Sequence, residues 1–157
     1  MSILLRQTRI GKGGIPFTVY KIRTMKKGCE KVPVFFDKFK SSDPRVMKFG
    51  RFMRRTGLDE IPQVYNILRG EMSLVGPRPM SPCFLEKVSP EQKALRQMIK
   101  PGLVGVIYIK PVDSFETALK NEMIYLNELQ GGNRFLVDVK YFFRIAFNLL
   151  SGRVRKP

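Results

Sequence analysis

The position of one proline constrains a helix start in the middle of this 157-residue chain. Pro62 lies within an apolar pattern of helical period, and a proline is tolerated only in the first turn of a helix because it lacks a backbone N–H. A helix is therefore predicted over about residues 60–68, closed by Gly70. Asp59 and Glu60 then lie at its N-terminus, where free N–H groups and the helix dipole stabilise negative charge.

Two interpretations of this acid pair are open. Carboxylates in the first turn stabilise a helix by about 0.3–1 kcal/mol, so Asp59 and Glu60 could serve only as a cap. The pair also follows a basic segment, residues 51–55, in a chain that has no histidine. Catalysis in such a chain would have to use carboxylates, Lys, Arg or a metal. An ionised aspartate can attack phosphorus, and paired carboxylates suit Mg²⁺ that bridges to phosphate.

The charge of the chain predicts an anionic partner. Lys and Arg number 29 against 13 acidic residues, which gives a net charge of +16, and the excess is concentrated in the first 55 residues. Nucleic acid, anionic lipid headgroups and phosphorylated small molecules would all respond to this field. The two cysteines are too few for a disulfide framework or a zinc site. The sequence contains no apolar run of about 18 residues, the length that a spanning helix needs.

A β-hairpin is predicted at the N-terminus. Segments 3–6 and 16–25 have strand character and flank a glycine-rich turn, residues 11–14. This turn lacks the Lys-Ser/Thr pair and the strand-to-helix setting of a phosphate loop, which favours a plain hairpin turn. Lys21 and Arg23 share one face by the two-residue period. They could bind phosphate, or form a solvated edge that discourages aggregation.

Capping and breaking residues predict the remaining elements. After a surface loop over 26–42, a helix over 44–55 is predicted to start at the Ser-Asp-Pro sequence 42–44 and to end at Gly57. Further helices are predicted from Ser89-Pro90 to before Pro101, from about 113 to 129, and over 134–150, with a strand over 103–109. The sequence thus predicts an α+β fold in a single domain, a small N-terminal hairpin packed with several short to medium helices.

A single arginine is held between two prolines in the segment 76–79. The prolines stiffen the chain around Arg78, and the planar guanidinium is well suited to phosphate oxygens. An arginine that only occupies a rigid turn would have the same sequence. In the last helix, aromatic residues beside Lys140 and Arg144 predict core packing or contact with a membrane interface.

Taken together, these stretches resemble the bacterial sugar transferase family, the monotopic phosphoglycosyl transferases that start the assembly of cell-surface glycans. The similarity extends from residue 5 to about 105, and its matching stretches are 6–11, 17–25, 43–46, 50–55 and 58–79. The resemblance implies that Asp59 attacks the β-phosphate of a UDP-sugar, releases UMP and forms an aspartyl phosphosugar. A polyprenol phosphate then accepts the phosphosugar.

The resemblance also implies roles for the residues around Asp59. Glu60 is linked to Mg²⁺ and to acid/base work, so Asp59 and Glu60 are the expected metal ligands. The residues expected to bind phosphate or substrate are Arg54, Arg78, Lys21, Arg23 and Glu122. The expected location is the cytoplasmic face of the bacterial inner membrane, peripheral to the membrane surface. A nucleic-acid partner is not expected, and the resemblance leaves the oligomeric state open.

The chain departs from the family pattern in two places. Family members normally begin with a hydrophobic re-entrant membrane helix, so residues 1–157 are expected to form a catalytic domain without that helix. After Pro101-Gly102, residues 103–110 replace the usual Thr-Gly-Trp-Ala-Gln-like run, and Glu122 is expected to replace the family's aspartate. The alternative is a catalytically impaired, basic membrane- or partner-binding remnant of the same fold.

Overall fold

The structure is a computed structural model that describes residues 3–28 and 44–153. Two antiparallel strands, β1 (Leu4–Ile10) and β2 (Pro16–Ile22), form the N-terminal hairpin, with Leu5 opposite Lys21. A 3-10 turn, Lys12–Gly14, joins them, and Gly13 and Gly14 both have positive φ, which glycine adopts without strain. The predicted hairpin is confirmed. Most of the predicted surface loop over 26–42 lies outside the described residues.

The first helix, α1 (Lys48–Thr56), begins later than the sequence indicates. The predicted start at residue 44 is wrong because residues 44–45 form a turn and the chain then pairs with the segment that follows β2. Val46 forms an antiparallel bridge with Met25, and the N–H of Met47 bonds to the Thr24 carbonyl at 3.0 Å. The predicted end at Gly57 is confirmed, since Gly57 has a φ of 78° and its N–H bonds to the Arg54 carbonyl.

The helix predicted over 60–68 is present but has two parts. A 3-10 helix, Leu58–Gln63, contains Pro62 and is followed by α2 (Val64–Leu68). The N–H of Glu60 bonds to the carbonyl of Gly57, three residues back, as the tighter winding requires. Asp59 and Glu60 lie in the first turn of this 3-10 helix, where the sequence predicts them.

A second, parallel pair of strands consists of β3 (Ser73–Gly76) and β4 (Gly102–Gly105), with Val75 opposite Val104. The predicted strand over 103–109 is half wrong, because a 3-10 helix, Val106–Ile109, follows β4. All four residues of that helix are buried. A short apolar run buried on every side gives no alternating pattern, so periodicity alone does not separate a strand from a helix here.

Four helices complete the fold: α3 (Pro82–Leu85), α4 (Pro90–Gln97), α5 (Phe115–Gly131) and α6 (Arg134–Leu150). The predicted caps of α4 and α5 are confirmed, since the hydroxyls of Ser89 and Ser114 accept backbone N–H bonds. The core lies between β3, the 3-10 helix Val106–Ile109, α5 and α6. Its centre includes Tyr125 and Tyr141, whose rings meet edge to face at 4.9 Å. The fold is the predicted α+β single domain.

The last helix buries one face and exposes the other. Val137, Tyr141 and Ile145 pack into the core, so the expected core packing is confirmed for that face. The exposed apolar residues of α6 are Phe135, Leu136, Val139, Phe143, Phe147 and Leu150. Within the described ranges 3–28 and 44–153, no helix combines the length and apolar character needed to cross a bilayer.

Candidate active site

The left-handed turn that ends α1 places the acid pair beside the hairpin. Gly57 ends α1 with a left-handed turn, and the 3-10 helix Leu58–Gln63 starts at the next residue. That helix lies against β2, where fully buried Asn66 of α2 donates to the Thr18 carbonyl at 2.7 Å. Asp59 is half-buried and Glu60 is 6% exposed. The carboxylates therefore occupy a partly closed site on the hairpin face.

Glu60 brings together two of the predicted cations. Its Oε1 atom accepts from Lys21 Nζ at 3.1 Å and from Arg78 Nη2 at 2.7 Å. Lys21 is supplied by β2 and Arg78 by the proline-flanked loop after β3, which are 57 positions apart in the chain. The side chain of Arg78 remains 30% exposed while it contacts Glu60. Part of the Arg78 side chain therefore remains accessible to solvent beside Glu60.

The other predicted residues lie at different distances from this centre. Arg54 donates from Nε to the hydroxyl of Thr24 at 2.8 Å, and its charge acts on Asp59. Arg23 follows β2, bonds through its backbone N–H to the Ile3 carbonyl, and has a half-buried side chain. Glu122 is fully buried in α5 and pairs with Arg96. The structure thus groups Lys21, Arg54 and Arg78 around the acid pair and separates Glu122 from it.

Burial and the surrounding cations act in opposite directions on the pKa of Asp59. Burial raises the pKa of Asp59 above its ordinary value and the neighbouring Glu60 carboxylate raises it further, while Lys21, Arg54 and Arg78 lower it. Burial lowers the pKa of Lys21, whereas contact with Glu60 raises it. The pKa of Arg78 is raised, chiefly by Glu60. The cations therefore stabilise the charged aspartate as expected, but burial outweighs them.

Two further residues belong to the site and were missed by sequence reasoning. Burial and the nearby Arg78 lower the pKa of Arg9 to about 10. Its guanidinium is held by the side-chain oxygen of Gln7 at 2.7 Å. Tyr108 is buried, which raises its pKa, and it interacts electrostatically with Arg78 and both carboxylates. The two-residue period along β1 could have placed Arg9 on the face that carries Lys21, but no sequence signal pointed to Tyr108.

The donor set limits how a metal ion could bind. Among the described residues, no three or more His, Cys, Asp or Glu side chains cluster closely enough to form a metal site. Mg²⁺ is usually bound in proteins by one or two carboxylates, with waters and substrate phosphates completing its shell. Asp59 and Glu60 fit that pattern, because they are adjacent carboxylates beside cations that attract phosphate.

The fold and this site define an α+β domain with an acid pair set among more cations than acids, an arrangement suited to phosphate chemistry. The cations of the site are Arg9, Lys21, Arg54 and Arg78. The model of the bacterial sugar transferase family matches residues 1–152, and the chain belongs to that family.

Curated relatives cover most of the chain. A UDP-glucose:undecaprenyl-phosphate glucose-1-phosphate transferase of Escherichia coli is 44% identical over 155 residues, 92% of this chain and 32% of its own length. The enzyme of the same name from Caulobacter vibrioides is 40% identical over 109 residues, 68% of this chain and 40% of its own length. A UDP-N-acetylgalactosamine-undecaprenyl-phosphate N-acetylgalactosaminephosphotransferase of Aeromonas hydrophila is 30% identical over 157 residues, which is 96% of this chain and 36% of the relative's own length. The chain thus spans well under half the length of these three relatives.

Proposed function

We propose that this chain transfers a sugar 1-phosphate from a UDP-sugar to a polyprenol phosphate at the membrane surface, the first step of surface-glycan synthesis. The observation that carries the proposal is the convergence of Lys21 and Arg78 on Glu60, beside the half-buried Asp59. The names of the relatives support the two substrate classes, since each contains a UDP-sugar and undecaprenyl phosphate.

Asp59 is the proposed nucleophile. A carboxylate oxygen of Asp59 forms a bond to the β-phosphorus of the UDP-sugar, and the bond from that phosphorus to the bridging oxygen breaks. The bridging oxygen keeps the electron pair and departs with UMP. The phosphate oxygen of the polyprenol phosphate then attacks the same phosphorus, and the Asp59 carboxylate is released. Each half of the cycle makes one P–O bond and breaks one.

The cations provide the electrostatic part of the mechanism. Arg78 and Lys21 bond to Glu60 beside Asp59, and in the proposed reaction they neutralise negative charge as it moves from Asp59 to the leaving UMP. Arg54 acts on the Asp59 side of the site. Arg9 adds a further cation next to Arg78. Mg²⁺ held by Asp59 and Glu60 would add further neutralisation of the substrate phosphates.

The test is the release of UMP from a panel of UDP-sugars, with polyprenol phosphate in detergent micelles and Mg²⁺. We expect Asp59→Asn to abolish release, because an amide does not form the acyl phosphate, and to prevent trapping of a ³²P-labelled covalent intermediate from a β-labelled donor. The matched control is Asp113→Asn, which removes an exposed carboxylate that contacts Thr117 at the start of α5. This control should leave release unchanged.

Two outcomes would contradict the proposal in different ways. Undiminished UMP release by Asp59→Asn would reject Asp59 as the nucleophile. A folded wild-type protein that releases no UMP with any donor, with or without polyprenol phosphate, would favour the impaired membrane- or partner-binding remnant.

A further inference from the structure

A buried ion pair lies directly behind Arg78. Arg96, in the last turn of α4, donates from Nη1 to Oε1 of Glu122 on α5. Its other terminal nitrogen, Nη2, donates to the backbone carbonyl of Arg78 at 2.7 Å. The side chains of Arg96 and Glu122 are 7% and 0% exposed. One guanidinium therefore joins α4, α5 and the loop that carries Arg78.

This contact is one of three that hold the backbone of that loop. The carbonyl of Pro77 accepts from the N–H of Gly102 at 2.9 Å, and the carbonyl of Met80 accepts from the N–H of Ile10 at 3.0 Å. The carbonyl of Arg78 lies between these two anchors and accepts from Arg96. Pro77 and Pro79 have no backbone N–H to donate, so the backbone of this segment is held mainly by hydrogen bonds to its carbonyl groups.

The shape of the guanidinium explains why an arginine occupies position 96. Its fixed fork can bond a carboxylate and a carbonyl at the same time, whereas a lysine ammonium is a compact charge on a flexible stem. Glu122 offsets the cost of burying that positive charge. Glu122 is fully buried, and its ion pair with Arg96 explains why an acidic residue is found at this buried position.

We infer that Arg96, held by Glu122, is a positioning residue that fixes the Arg78 backbone so that the Arg78 guanidinium stays on Glu60 and faces the substrate phosphate. The inference rests on the proposed function and assigns Glu122 a role through Arg96 and Arg78 in place of substrate contact. The chain of contacts runs from Glu122 through Arg96 and the Arg78 carbonyl to the Arg78 guanidinium and Glu60.

The test is a double-mutant cycle that combines Arg96→Lys with Arg78→Ala. Arg96→Lys retains the buried charge but loses the fork, and we expect UMP release to fall about tenfold, the effect of about 1.4 kcal/mol. In the Arg78→Ala background the same substitution should cause no further loss, because the residue through which it acts is gone. If Arg96→Lys fails to fold, as judged by circular dichroism, Glu122→Gln takes its place in the cycle.

The matched control is Gln92→Met. Gln92 also lies on α4, is buried, and donates to the Leu119 carbonyl of α5 at 3.1 Å, but it has no described contact with Arg78. It should lower the melting temperature and leave UMP release unchanged. An equal loss of activity in Gln92→Met at equal loss of stability, or a full tenfold effect of Arg96→Lys in the Arg78→Ala background, would overturn the inference.

A second readout separates this inference from the proposed function. Inorganic pyrophosphate is the probe, and calorimetric titration measures its binding to the four members of the cycle, which are the wild-type protein, the two single variants and the double variant. We expect Arg96→Lys to weaken binding only when Arg78 is present. That result with no UMP release would sustain the inference and reject the transferase. Binding that Arg96→Lys leaves unchanged would reject the inference alone, and a wild-type protein that neither binds pyrophosphate nor releases UMP would reject both.

Discussion

Asp59 has a cost to the fold that follows from its position. Burial and the neighbouring Glu60 raise its pKa in the folded protein, so the folded state binds the aspartate proton more tightly than the unfolded chain does. The stability that this group contributes is fully present when the pH is below the ordinary pKa of 3.8, which applies to the unfolded chain. It is lost as the pH rises through the higher pKa of the folded protein. At neutral pH the ionised side chain therefore destabilises the fold.

Asp59→Asn should consequently stabilise the protein at neutral pH, although it removes the nucleophile of the proposed reaction. A change of 1 kcal/mol shifts the melting temperature of a domain of this size by roughly 2–4 °C, and we expect an increase no larger than this. The increase should disappear below pH 3.8, where the wild-type carboxyl is protonated in both states. Thermal unfolding followed by circular dichroism at the two pH values measures it.

Asp113→Asn is the control of opposite sign. Hydrogen bonds from Thr117 and Ser114 hold the pKa of Asp113 below its ordinary value, so its ionised form favours the folded state at neutral pH. Its amide variant should melt at a lower temperature than the wild-type protein. A lower melting temperature for Asp59→Asn at neutral pH would show that the cations around Asp59 outweigh its burial.

The junction between the hairpin and α2 depends on one buried amide. Asn66 donates from Nδ2 to the Thr18 carbonyl and to Glu71, each at 2.7 Å, and its Oδ1 accepts from the N–H of Tyr20 at 3.4 Å. This junction sets the position of Lys21 on β2 relative to Glu60 on the preceding 3-10 helix. Replacing the amide leaves the part-buried Thr18 carbonyl and Tyr20 N–H without this partner, and an unsatisfied buried polar group costs about 1–3 kcal/mol.

We expect Asn66→Ala to lower the free energy of unfolding by about 2 kcal/mol, because two part-buried backbone groups lose a hydrogen-bond partner. Asn133→Ala is the matched control, because Asn133 caps α6 at an exposed position and bonds the N–H of Phe135 at 2.9 Å. Loss of an N-cap costs about 1 kcal/mol. Urea unfolding measures both variants, and equal losses would show that the Asn66 contacts add nothing beyond a single cap.

Sequence reasoning succeeded for elements whose signals are local. The bounds predicted for α6 agree with the structure, and the starts of α4 and α5 follow from Ser89 and Ser114, which bond to N–H groups three residues later. The start of α1 was missed because it depends on pairing between Val46 and Met25, 21 positions earlier. The capping residues near Val46 give no sign of this long-range pairing.

The candidate site shows the same division between local and distant signals. The adjacent acids, Lys21 and the proline-flanked Arg78 are evident as motifs, and the structure brings them together. Arg96 and Tyr108 were missed because their nearness to Arg78 is a product of the tertiary fold. The sequence of α4 gives Arg96 the pattern of an ordinary helix-end cation, and its fork toward Glu122 and the Arg78 carbonyl becomes visible only in the structure.

At the scale of the whole molecule, positive charge and exposed apolar side chains occur together near the site. The segment from α1 to α2 exposes a set of large apolar residues: Phe49, Phe52, Leu58, Ile61, Val64, Tyr65 and Leu68. This set, here termed the apolar face, surrounds Asp59 in the sequence. A lipid-borne phosphate has to reach Asp59 in the proposed reaction, so we expect this face to contact the membrane.

Binding to vesicles that contain anionic lipid should therefore depend both on the positive charge of the protein and on its exposed apolar side chains. Leu68 is 81% exposed, and burying such a side chain contributes about 1.5–3 kcal/mol, so Leu68→Ser should weaken binding at least about tenfold. Leu150→Ser is the matched control, because Leu150 is 90% exposed at the end of α6, away from the apolar face in the chain.

Raising the salt from about 0.1 to 1 M shortens the screening length from about 10 to 3 Å and should weaken binding of the wild-type protein and both variants. Vesicle co-sedimentation measures these effects, and a larger loss for Leu150→Ser than for Leu68→Ser would place the membrane contact on α6 and contradict the assignment to the apolar face.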